Sequence, residues 1–542
     1  MAEKILSVQN FQFRLQRFLD SFFSVQFHII LIILGVILRL KVYFKNNSFW
    51  LDEAWVALDI STRTFSDIFS AKILSSDLPT PPPVFSLIEK LFITLFGNNE
   101  YIFRLFPLLC GIASLFLFYG LLRKFFDHKA TSIVLIFFVC SDMLIYHSSE
   151  LKQYSSGVLT VLVLYYLMGY MDSLKRITIR NSIGYGIAGG IAITLFYPSI
   201  FILAGIGTTQ IIGALRNKDW ERFKGSVFSA FLWLVIFTVV YLIYCYYMFY
   251  DGTLKWPVNP YPIVSFKSLK LSFDWVTKGV LVKTIGLAPY WLGVYFILIG
   301  SVFLLKKDKK TFFMLALPVF FVFLALILKK YPMQPRFFLA ILPGVLIIFG
   351  YGAMAAMQYK RRELIIFNGI LLGILLFQPL RTATHSWFDS HSKEDTRSLM
   401  KHLKHYQQPG DALFLNNSAQ YAYGYYMRYF QFTHPINPIM KMTDNISRDN
   451  NGQYVFMQNV QYIFDENSYF KKVREHGALI AVSKNEAESL GQNKRTWILL
   501  SHISQDTKEF ILSLLDHNGV QLKKFEETGA ALYLYDLSAK GH

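Results

Sequence analysis

The sequence predicts a polytopic α-helical membrane protein of about eleven transmembrane helices, followed by a small C-terminal α/β soluble domain. Three observations predict this fold class. Hydrophobic residues make up 53% of the chain, and 51 phenylalanines among 542 residues give it more apolar surface than one soluble core can bury. The apolar runs are about 17 to 23 residues long, which a helix needs to cross about 30 Å of hydrocarbon. After residue 380, short apolar stretches alternate with amphipathic ones, which is typical of alternating strands and helices.

The apolar runs divide the chain into three parts. Residues 1–26 are basic and lack a cleavable signal pattern, so we expect a cytoplasmic lead-in and a retained first helix. Residues 27–380 form the predicted transmembrane domain, and residues 381–542 form the soluble domain. The predicted spans are 27–44, 101–122, 130–147, 155–172, 182–197, 199–215, 226–249, 285–305, 311–328, 337–357 and 364–380.

The basic residues orient this arrangement. A net charge of +18 is compatible with nucleic-acid binding, but the basic residues gather in every second link between spans, which argues against a nucleic-acid partner. The positive-inside rule then places the N-terminus and the basic links in the cytoplasm. The segment 45–100, the loop 250–284 and the C-terminal domain come to lie outside. We therefore expect a plasma (inner) membrane protein with an extracytoplasmic C-terminal domain.

One short outer link breaks this rule. It has the sequence KKYPMQPR and carries Lys329, Lys330 and Arg336. The two lysines can snorkel to phosphates of the outer leaflet. For Arg336 we favour binding of a specific phosphate.

The outer segment 45–100 contains two adjacent acids in the motif WLDEAW. We expect short helices at the outer interface here, with Trp50 and Trp55 as anchors. Asp52 and Glu53 are costly beside hydrocarbon unless they have partners or a task. Neighbours on a helix point about 100° apart, so the two acids are expected to differ in role. Alternatively, both are ordinary interfacial charges that satisfy a helix dipole.

A second polar group follows the third predicted span, in SDMLIYHSSELKQYS. Asp142, Tyr146, Glu150 and Tyr154 recur at spacing four and share one face if this segment is helical. For Asp142, deeper in the apolar region, we favour a contact that joins helices. Glu150, Lys152 and Tyr154 are compatible with either a structural contact or a site.

Outer acids and outer cations together suggest a site at the membrane surface. The acids are Asp52 and Glu150, and the cations are Arg104, Lys152 and Arg336. This set suits a substrate with an anionic head, such as a lipid phosphate. The C-terminal domain has no glycine-rich phosphate loop and no metal-spaced Cys/His cluster, so we assign it acceptor binding or scaffolding.

Four motifs in this order resemble a known class of enzymes. They are the DE pair at Asp52 and Glu53, a proline-rich helix start leading to FGNNEYIFRLFP, the element SELKQYS, and YPMQPRFFLAILP. Between about residues 28 and 345 the chain resembles the GT-C membrane glycosyltransferases, in particular protein O-mannosyltransferases and the lipid A aminoarabinose transferase. Relatives often have a histidine before the paired prolines, where this chain has Thr80 and Pro81.

The resemblance implies a reaction. Such enzymes move a sugar from a polyprenyl-phosphate donor to an acceptor outside the cytoplasm, with inversion at the anomeric carbon. Asp52 would be the general base, with Glu53 as its catalytic neighbour. Arg336 and Lys152 would stabilise the leaving phosphate. A divalent metal on Asp52, Glu53 and Glu150 is left open, and the cofactor is unknown.

Several alternatives stay open at this stage. The acceptor hydroxyl can belong to a protein, a lipid or a polysaccharide, and the sugar is not specified. A transporter is the main rival, although a transporter usually shows repeated halves and polar residues near the midplane. A third reading is an inactive lipid-binding or assembly factor, against which the intact DE pair argues.

Overall fold

The computed structural model describes most of the helical part of the chain and the five-stranded sheet of its C-terminal part. The described residues are 24–69, 81–245, 274, 276–328, 330–332, 334–358, 362–388, 392–416, 418–432, 495–537 and five short strands between 438 and 473. The expected lead-in up to residue 23 and most of the predicted loop 250–284 lie outside them.

The chain forms two compact units. The helical unit comprises Met1–Lys45, Asp77–Ile88 and Arg104–Asp389. The sheet unit comprises Asn46–Ser76, Glu89–Phe103 and Ser390–His542. The segment that carries the DE pair therefore belongs to the same unit as the C-terminal residues.

Helices dominate the described residues. Before residue 200 they are α1 (Val25–Lys45), α2 (Leu51–Thr62), α3 (Phe65–Phe69), α4 (Pro83–Phe96), α5 (Glu100–Phe125), α6 (His128–Val139), α7 (Asp142–His147), α8 (Tyr154–Ser173) and α9 (Ile179–Leu195). After it come α10 (Ser199–Arg216), α11 (Trp220–Val240), α12 (Tyr290–Lys307), α13 (Lys309–Ile327), α14 (Leu342–Met357), α15 (Arg362–Phe388), α16 (Thr396–Tyr406), α17 (Ala419–Tyr429) and α18 (Gln505–Asn518). Two π-helical segments (Tyr241–Cys245, Val276–Thr284) and a 3₁₀ helix (Pro335–Ala340) complete them.

Many of these helices suit a bilayer. Within the described part of the chain, eight are long and apolar enough to cross a membrane, and α6 and α14 are shorter apolar helices. The eight are α1, α5, α8, α10, α11 with the π segment that follows it, α12, α13 and α15. The last one continues to Phe388, beyond the end of the apolar run that predicted it. The prediction of a polytopic helical membrane protein is confirmed.

The third predicted span, 130–147, is wrong as a single helix. It divides into α6 and α7, and the Ser141 side chain caps α7 by accepting a hydrogen bond from the Leu144 amide. A turn follows α7, and a new helix begins at Tyr154. Asp142 and Glu150 therefore do not share a helix, and the predicted common face of four residues does not exist. Serine at an N-cap favours a new helix start, and this local preference overrides the apolar pattern.

Two glycines allow α12 and α14 to pack backbone against backbone. A Cβ atom on Gly300 would lie 2.0 Å from the Ile348 carbonyl oxygen, and one on Gly352 would lie 1.9 Å from the Phe296 carbonyl oxygen. Small residues at a crossing let the two backbones approach closely. Lipid provides no hydrophobic driving force between helices, so the van der Waals packing that this approach allows stabilises their association.

The sheet unit contains a five-stranded mixed sheet in the order β2–β1–β7–β9–β8. Strand β1 runs parallel to β2 and β7, while β9 runs antiparallel to β7 and β8. Phe414, Ile498 and Tyr533 on the sheet pack with Ile511 of α18 in one apolar cluster. The predicted small α/β domain is confirmed. The strands are β1 (Ala412–Asn416), β2 (Pro438–Met442), β3 (Ile446–Arg448), β4 (Tyr454–Phe456), β5 (Gln461–Ile463), β6 (Lys471–Val473), β7 (Arg495–Ser501), β8 (Val520–Glu527) and β9 (Ala530–Asp536).

The two tryptophans beside the DE pair are buried in the sheet unit. Trp55 is 3% exposed and Trp50 is 9% exposed, with the Lys393 ammonium 3.5 Å from the Trp50 ring centroid. The prediction that both anchor in the membrane interface is therefore wrong. The amphipathic indole ring of tryptophan suits both the membrane–water interface and a protein interior, and the sequence pattern does not distinguish the two environments.

Substituting alanine for the crossing glycines tests the close approach. Gly300→Ala and Gly352→Ala should each lower the free energy of unfolding by about 1–3 kcal/mol, because a new methyl group overlaps a carbonyl oxygen of the facing helix. Denaturant titration of the detergent-solubilised protein measures this. Gly369→Ala is the control, since a Cβ there meets nothing within 4 Å. Equal effects at all three positions would contradict the crossing.

Candidate active site

Asp52 and Glu53 lie in the first turn of α2 and have different surroundings. Glu53 is 3% exposed, whereas Asp52 is half-buried. Asp52 is thus the more accessible of the two carboxylates. Acidic residues in a first turn are favoured by the helix dipole.

Charged side chains from other segments contact both ends of α2. The Leu51 amide at its start donates to Glu394 Oε2 at 3.1 Å. At its end, Lys90 Nζ donates to the carbonyl oxygens of Ile60 and Ser61 at 3.1 and 3.2 Å. An anion at the N-terminus and a cation at the C-terminus both stabilise a helix. The helix that carries the DE pair is therefore fixed at two points.

A buried ion pair occupies the far half of the same helix. Asp59 and Arg63 are 2% and 5% exposed and form a salt bridge. Burial raises the pKa of Asp59 to about 6, although the Arg63 charge opposes the shift. Burial also lowers the pKa of Lys90, helped by Arg63.

In the helical unit, Glu150 is the centre of a second group. It is 1% exposed, and its two carboxylate oxygens have separate donors. Tyr146 Oη donates to Oε1 at 3.2 Å, and His147 Nδ1 makes a short hydrogen bond to Oε2. His147 Nε2 is buried and has no hydrogen-bond partner among the residues that the structure describes. That nitrogen can therefore bond a ligand.

Tyr154 joins this group to Arg336. Its ring centroid lies 4.7 Å from that of His147 and 5.9 Å from Arg336 Cζ. Arg336 Cζ also lies 5.5 Å from the Phe337 ring centroid. A planar guanidinium stacks well on aromatic faces.

The 3₁₀ helix that carries Arg336 is bonded on both sides of that residue. Thr284 Oγ1 donates to the Pro335 carbonyl oxygen at 3.0 Å, and Tyr331 Oη donates to the Phe337 carbonyl oxygen at 2.8 Å. These bonds flank Arg336 and restrict its backbone. Arg336, which breaks the positive-inside pattern, thus has a backbone that is held by hydrogen bonds on both sides.

The predicted residues fall into two sets. Glu150, Tyr154 and Arg336 come together in the helical unit, and we name them with His147 the Glu150 cluster. Lys152 lies half-buried in the same turn, where its amide donates to the Glu150 carbonyl oxygen at 2.7 Å. Arg104 is buried on α5, in the same unit. Asp52 and Glu53 belong to the sheet unit.

Sequence reasoning missed His147 as a member of this group. The signal that could have found it is local: His147 precedes Glu150 by three residues, so one helical turn or a tight turn brings the two side chains together. The spacing-four pattern that selected Tyr146 and Glu150 passed over it.

A metal ion gains no support from the side-chain arrangement. The described residues contain no group of three or more His, Cys, Asp or Glu side chains that could hold one. Of the oxygen ligands considered from the sequence, Asp52 and Glu53 belong to the sheet unit and Glu150 belongs to the helical unit.

Comparisons with known proteins give one family match and two structural matches. Residues 80–244 match a family model described as dolichyl-phosphate-mannose-protein mannosyltransferase, a range that includes Arg104, Glu150, Lys152 and Tyr154. Among solved structures, ArnT from Cupriavidus metallidurans in the apo state is similar over 94% of this chain and 98% of that chain, with a TM-score of 0.51 and 11% identity. The same protein bound to undecaprenyl phosphate has a TM-score of 0.52, with the same coverage and identity.

The predicted resemblance to the GT-C glycosyltransferases is confirmed. The chain shares the GT-C fold of ArnT over 94% of its length. The chain is an integral membrane protein. No curated protein matches its sequence at a significant level.

A double-mutant cycle tests the buried His147–Glu150 bond. His147→Gln and Glu150→Gln should together cost less than the sum of the single variants, with a coupling of about 0.5–3 kcal/mol, because each single change leaves a buried partner unsatisfied. Denaturant titration in detergent measures the free energies of unfolding. Pairing Glu150→Gln with Glu526→Gln on the C-terminal sheet provides the control, and this pair should be additive. Additivity in both cycles would rule out the bond.

Proposed function

We propose that this chain is an inverting glycosyltransferase that moves a sugar from a polyprenyl-phosphate donor to an acceptor hydroxyl on the extracytoplasmic side of the membrane. The observation that carries the proposal is the Glu150 cluster in a chain of GT-C fold. The matching family model names a dolichyl-phosphate sugar, and a similar ArnT structure holds undecaprenyl phosphate. Both ligands are polyprenyl phosphates, which suit a membrane-embedded enzyme.

Asp52 acts as the general base. It accepts the proton of the acceptor hydroxyl as the oxygen attacks the anomeric carbon from the side opposite the phosphate. The new C–O bond forms while the bond to the phosphate oxygen breaks, which inverts the anomeric carbon. A positioned base contributes typically about 10² to 10⁴ in rate. Glu53 is the buried neighbour of this base.

Cations replace the general acid that a glycosidase uses. A lipid phosphate leaves as an anion, so its departure needs positive charge and hydrogen-bond donors rather than a proton. Arg336 supplies a guanidinium held on the Tyr154 and Phe337 rings. Lys152 and Arg104 add charge to the same unit. Arginine binds phosphate well because its fork of N–H donors matches two phosphate oxygens.

Glu150 and Tyr154 complete the donor site as binding residues. The Glu150 carboxylate bonds His147 Nδ1, so the proton of the imidazole lies on the Nδ1 side and Nε2 is available to a ligand. The Tyr154 ring lies close to both this imidazole and the Arg336 guanidinium. The donor site thus combines positive charge, an aromatic ring and the His147 Nε2 atom.

The membrane side of the reaction follows from the distribution of charge along the sequence. We place the chain in the plasma (inner) membrane, with its C-terminal domain outside and membrane lipids as its surroundings. The acceptor is a hydroxyl of a protein, a lipid or a polysaccharide. The fold and the family match give the transporter alternative no support.

Asp52→Asn should slow transfer strongly while donor binding persists. The expected loss of kcat is about 10² to 10⁴, because the amide cannot accept the hydroxyl proton. Transfer of labelled sugar from polyprenyl-phosphate donors is measured in proteoliposomes at equal protein abundance. Asp67→Asn, in the same outer segment, is the matched control and should retain activity. Full activity of Asp52→Asn would remove Asp52 as the base.

Replacing Arg336 tests the phosphate site. Arg336→Gln should weaken binding of undecaprenyl phosphate by about 10- to 100-fold, because hydrogen bonds to a charged group contribute about 1.5–3 kcal/mol. Arg336→Lys keeps the charge but loses the forked N–H donors of the guanidinium, so its affinity should lie between those of the intact protein and Arg336→Gln. The control is Lys330→Gln, which removes an exposed cation of the same link. If both glutamine variants bind equally well, Arg336 does not hold the phosphate.

A further inference from the structure

The segment just before the DE pair is bonded by residues far away in the sequence. Tyr426 on α17 places its hydroxyl between two groups of this segment: Ser48 Oγ lies 3.1 Å away, and the Phe49 amide donates to Tyr426 Oη at 2.9 Å. Tyr426 is fully buried, and Phe49 packs edge-on against the neighbouring Tyr425 ring. One hydroxyl group therefore fixes two successive residues.

Glu100 and Arg397 extend this contact into a connected polar network. Tyr426 Oη donates a short hydrogen bond to Glu100 Oε1, and Arg397 Nη1 forms an ion pair with Glu100 Oε2. Arg397 also donates through Nη2 to the Asn46 carbonyl oxygen at 2.7 Å and through its amide to Ser48 Oγ at 3.0 Å. Burial and the Glu100 charge hold the pKa of Tyr426 well above its usual value, which keeps the hydroxyl protonated as a donor.

A second contact from the C-terminal residues, made by Glu394, bonds the first residue of α2. Glu394 Oε2 accepts from the Leu51 amide at 3.1 Å, and Glu394 Oε1 lies 2.7 Å from His502 Nδ1. Glu394 is 2% exposed. The residue it bonds is the immediate neighbour of Asp52.

The edge of the sheet sets the position of Glu394. Gly529, in the turn between β8 and β9, has a φ of +66°. A Cβ there would lie 2.2 Å from the Lys393 carbonyl oxygen and 3.0 Å from Glu394 Cγ. The Asp395 amide donates to the Thr528 carbonyl oxygen at 2.8 Å. The turn is thus packed directly on the residues that carry Glu394.

We propose that Glu394, Arg397 and Tyr426 are positioning residues, and that the C-terminal domain holds residues 46–51 so that Asp52 stays in register for proton transfer. This inference rests on the proposed role of Asp52 as base. The contacts bond backbone groups at residues 46, 49 and 51, so they fix the course of the chain rather than one side chain. A misplacement of about 1 Å can cost about 10²-fold in rate, so such support has a large effect on turnover.

Tyr426→Phe is the first test, because it removes one oxygen and keeps the ring. We expect kcat to fall about tenfold or more while KM for the polyprenyl-phosphate donor changes less than about twofold, since the donor is bound by other residues. Glu394→Gln should behave in the same way. Tyr533→Phe is the matched control. Tyr533 is also buried, and its hydroxyl donates at 2.7 Å to the carboxylate of Glu526 on the neighbouring strand of the C-terminal sheet. It should leave kcat unchanged.

A double mutant separates positioning from general stability. In the Asp52→Asn background, Tyr426→Phe and Glu394→Gln should lower the residual rate no further, because their effect acts through Asp52. If they lower it by the same factor as in the intact protein, or if Tyr426→Phe and Tyr533→Phe have equal effects on kcat, the inference is overturned.

Hydrogen exchange keeps the inference testable apart from catalysis. Mass spectrometry of the full-length protein should show faster amide exchange over residues 46–53 in Tyr426→Phe and Glu394→Gln than in the intact protein or Tyr533→Phe. Unchanged exchange there overturns the positioning role. Faster exchange in a protein whose intact form transfers no sugar would retain the bonding role and reject the proposed function instead.

Discussion

Burying a charge in a low-dielectric interior is costly unless a second group compensates it, and much of this structure is organised by that constraint. Glu150 has Tyr146 and His147, Glu100 has Tyr426 and Arg397, and Asp59 has Arg63. In each case the partner comes with a second bond or ring contact that fixes it. Of these three carboxylates, Glu100 joins segments that are distant in the sequence, whereas Glu150 and Asp59 bond partners within four residues of themselves.

Glu89 satisfies the same constraint in another way. It is fully buried, and neither carboxylate oxygen has a hydrogen-bond partner among the residues that the structure describes. Burial raises its pKa well above the usual value, so the group stays neutral instead of finding a cation. The next residue, Lys90, instead donates hydrogen bonds to two carbonyl oxygens at the end of α2. Two neighbouring residues on one helix thus meet the cost of burial by different means.

The fold was predictable as far as local physics reaches. Apolar run lengths located the membrane helices, and alternation located the C-terminal sheet, because both signals depend on residues close in sequence. The break at Ser141 was missed because an N-cap serine overrides an apolar run. Within the site, spacing identified Glu150 and Tyr154 but not His147. The bonds from Glu394 and Tyr426 to residues 46–51 had no sequence signal, because a pair so distant in the chain leaves no period to detect.

The separation of Ser48 and Tyr426 by 378 positions also has a consequence for biogenesis. Residues 46–51 leave the ribosome early, and Tyr426 follows roughly 20 to 75 s later at about 5–20 residues per second. During that interval the DE segment is already synthesised but lacks the hydroxyl and carboxylate groups that bond it. A chain truncated between residues 336 and 394 would therefore carry every residue of the proposed reaction without the groups that bond residues 46–51, and we expect it to meet the donor lipids of the membrane but to consume them far more slowly.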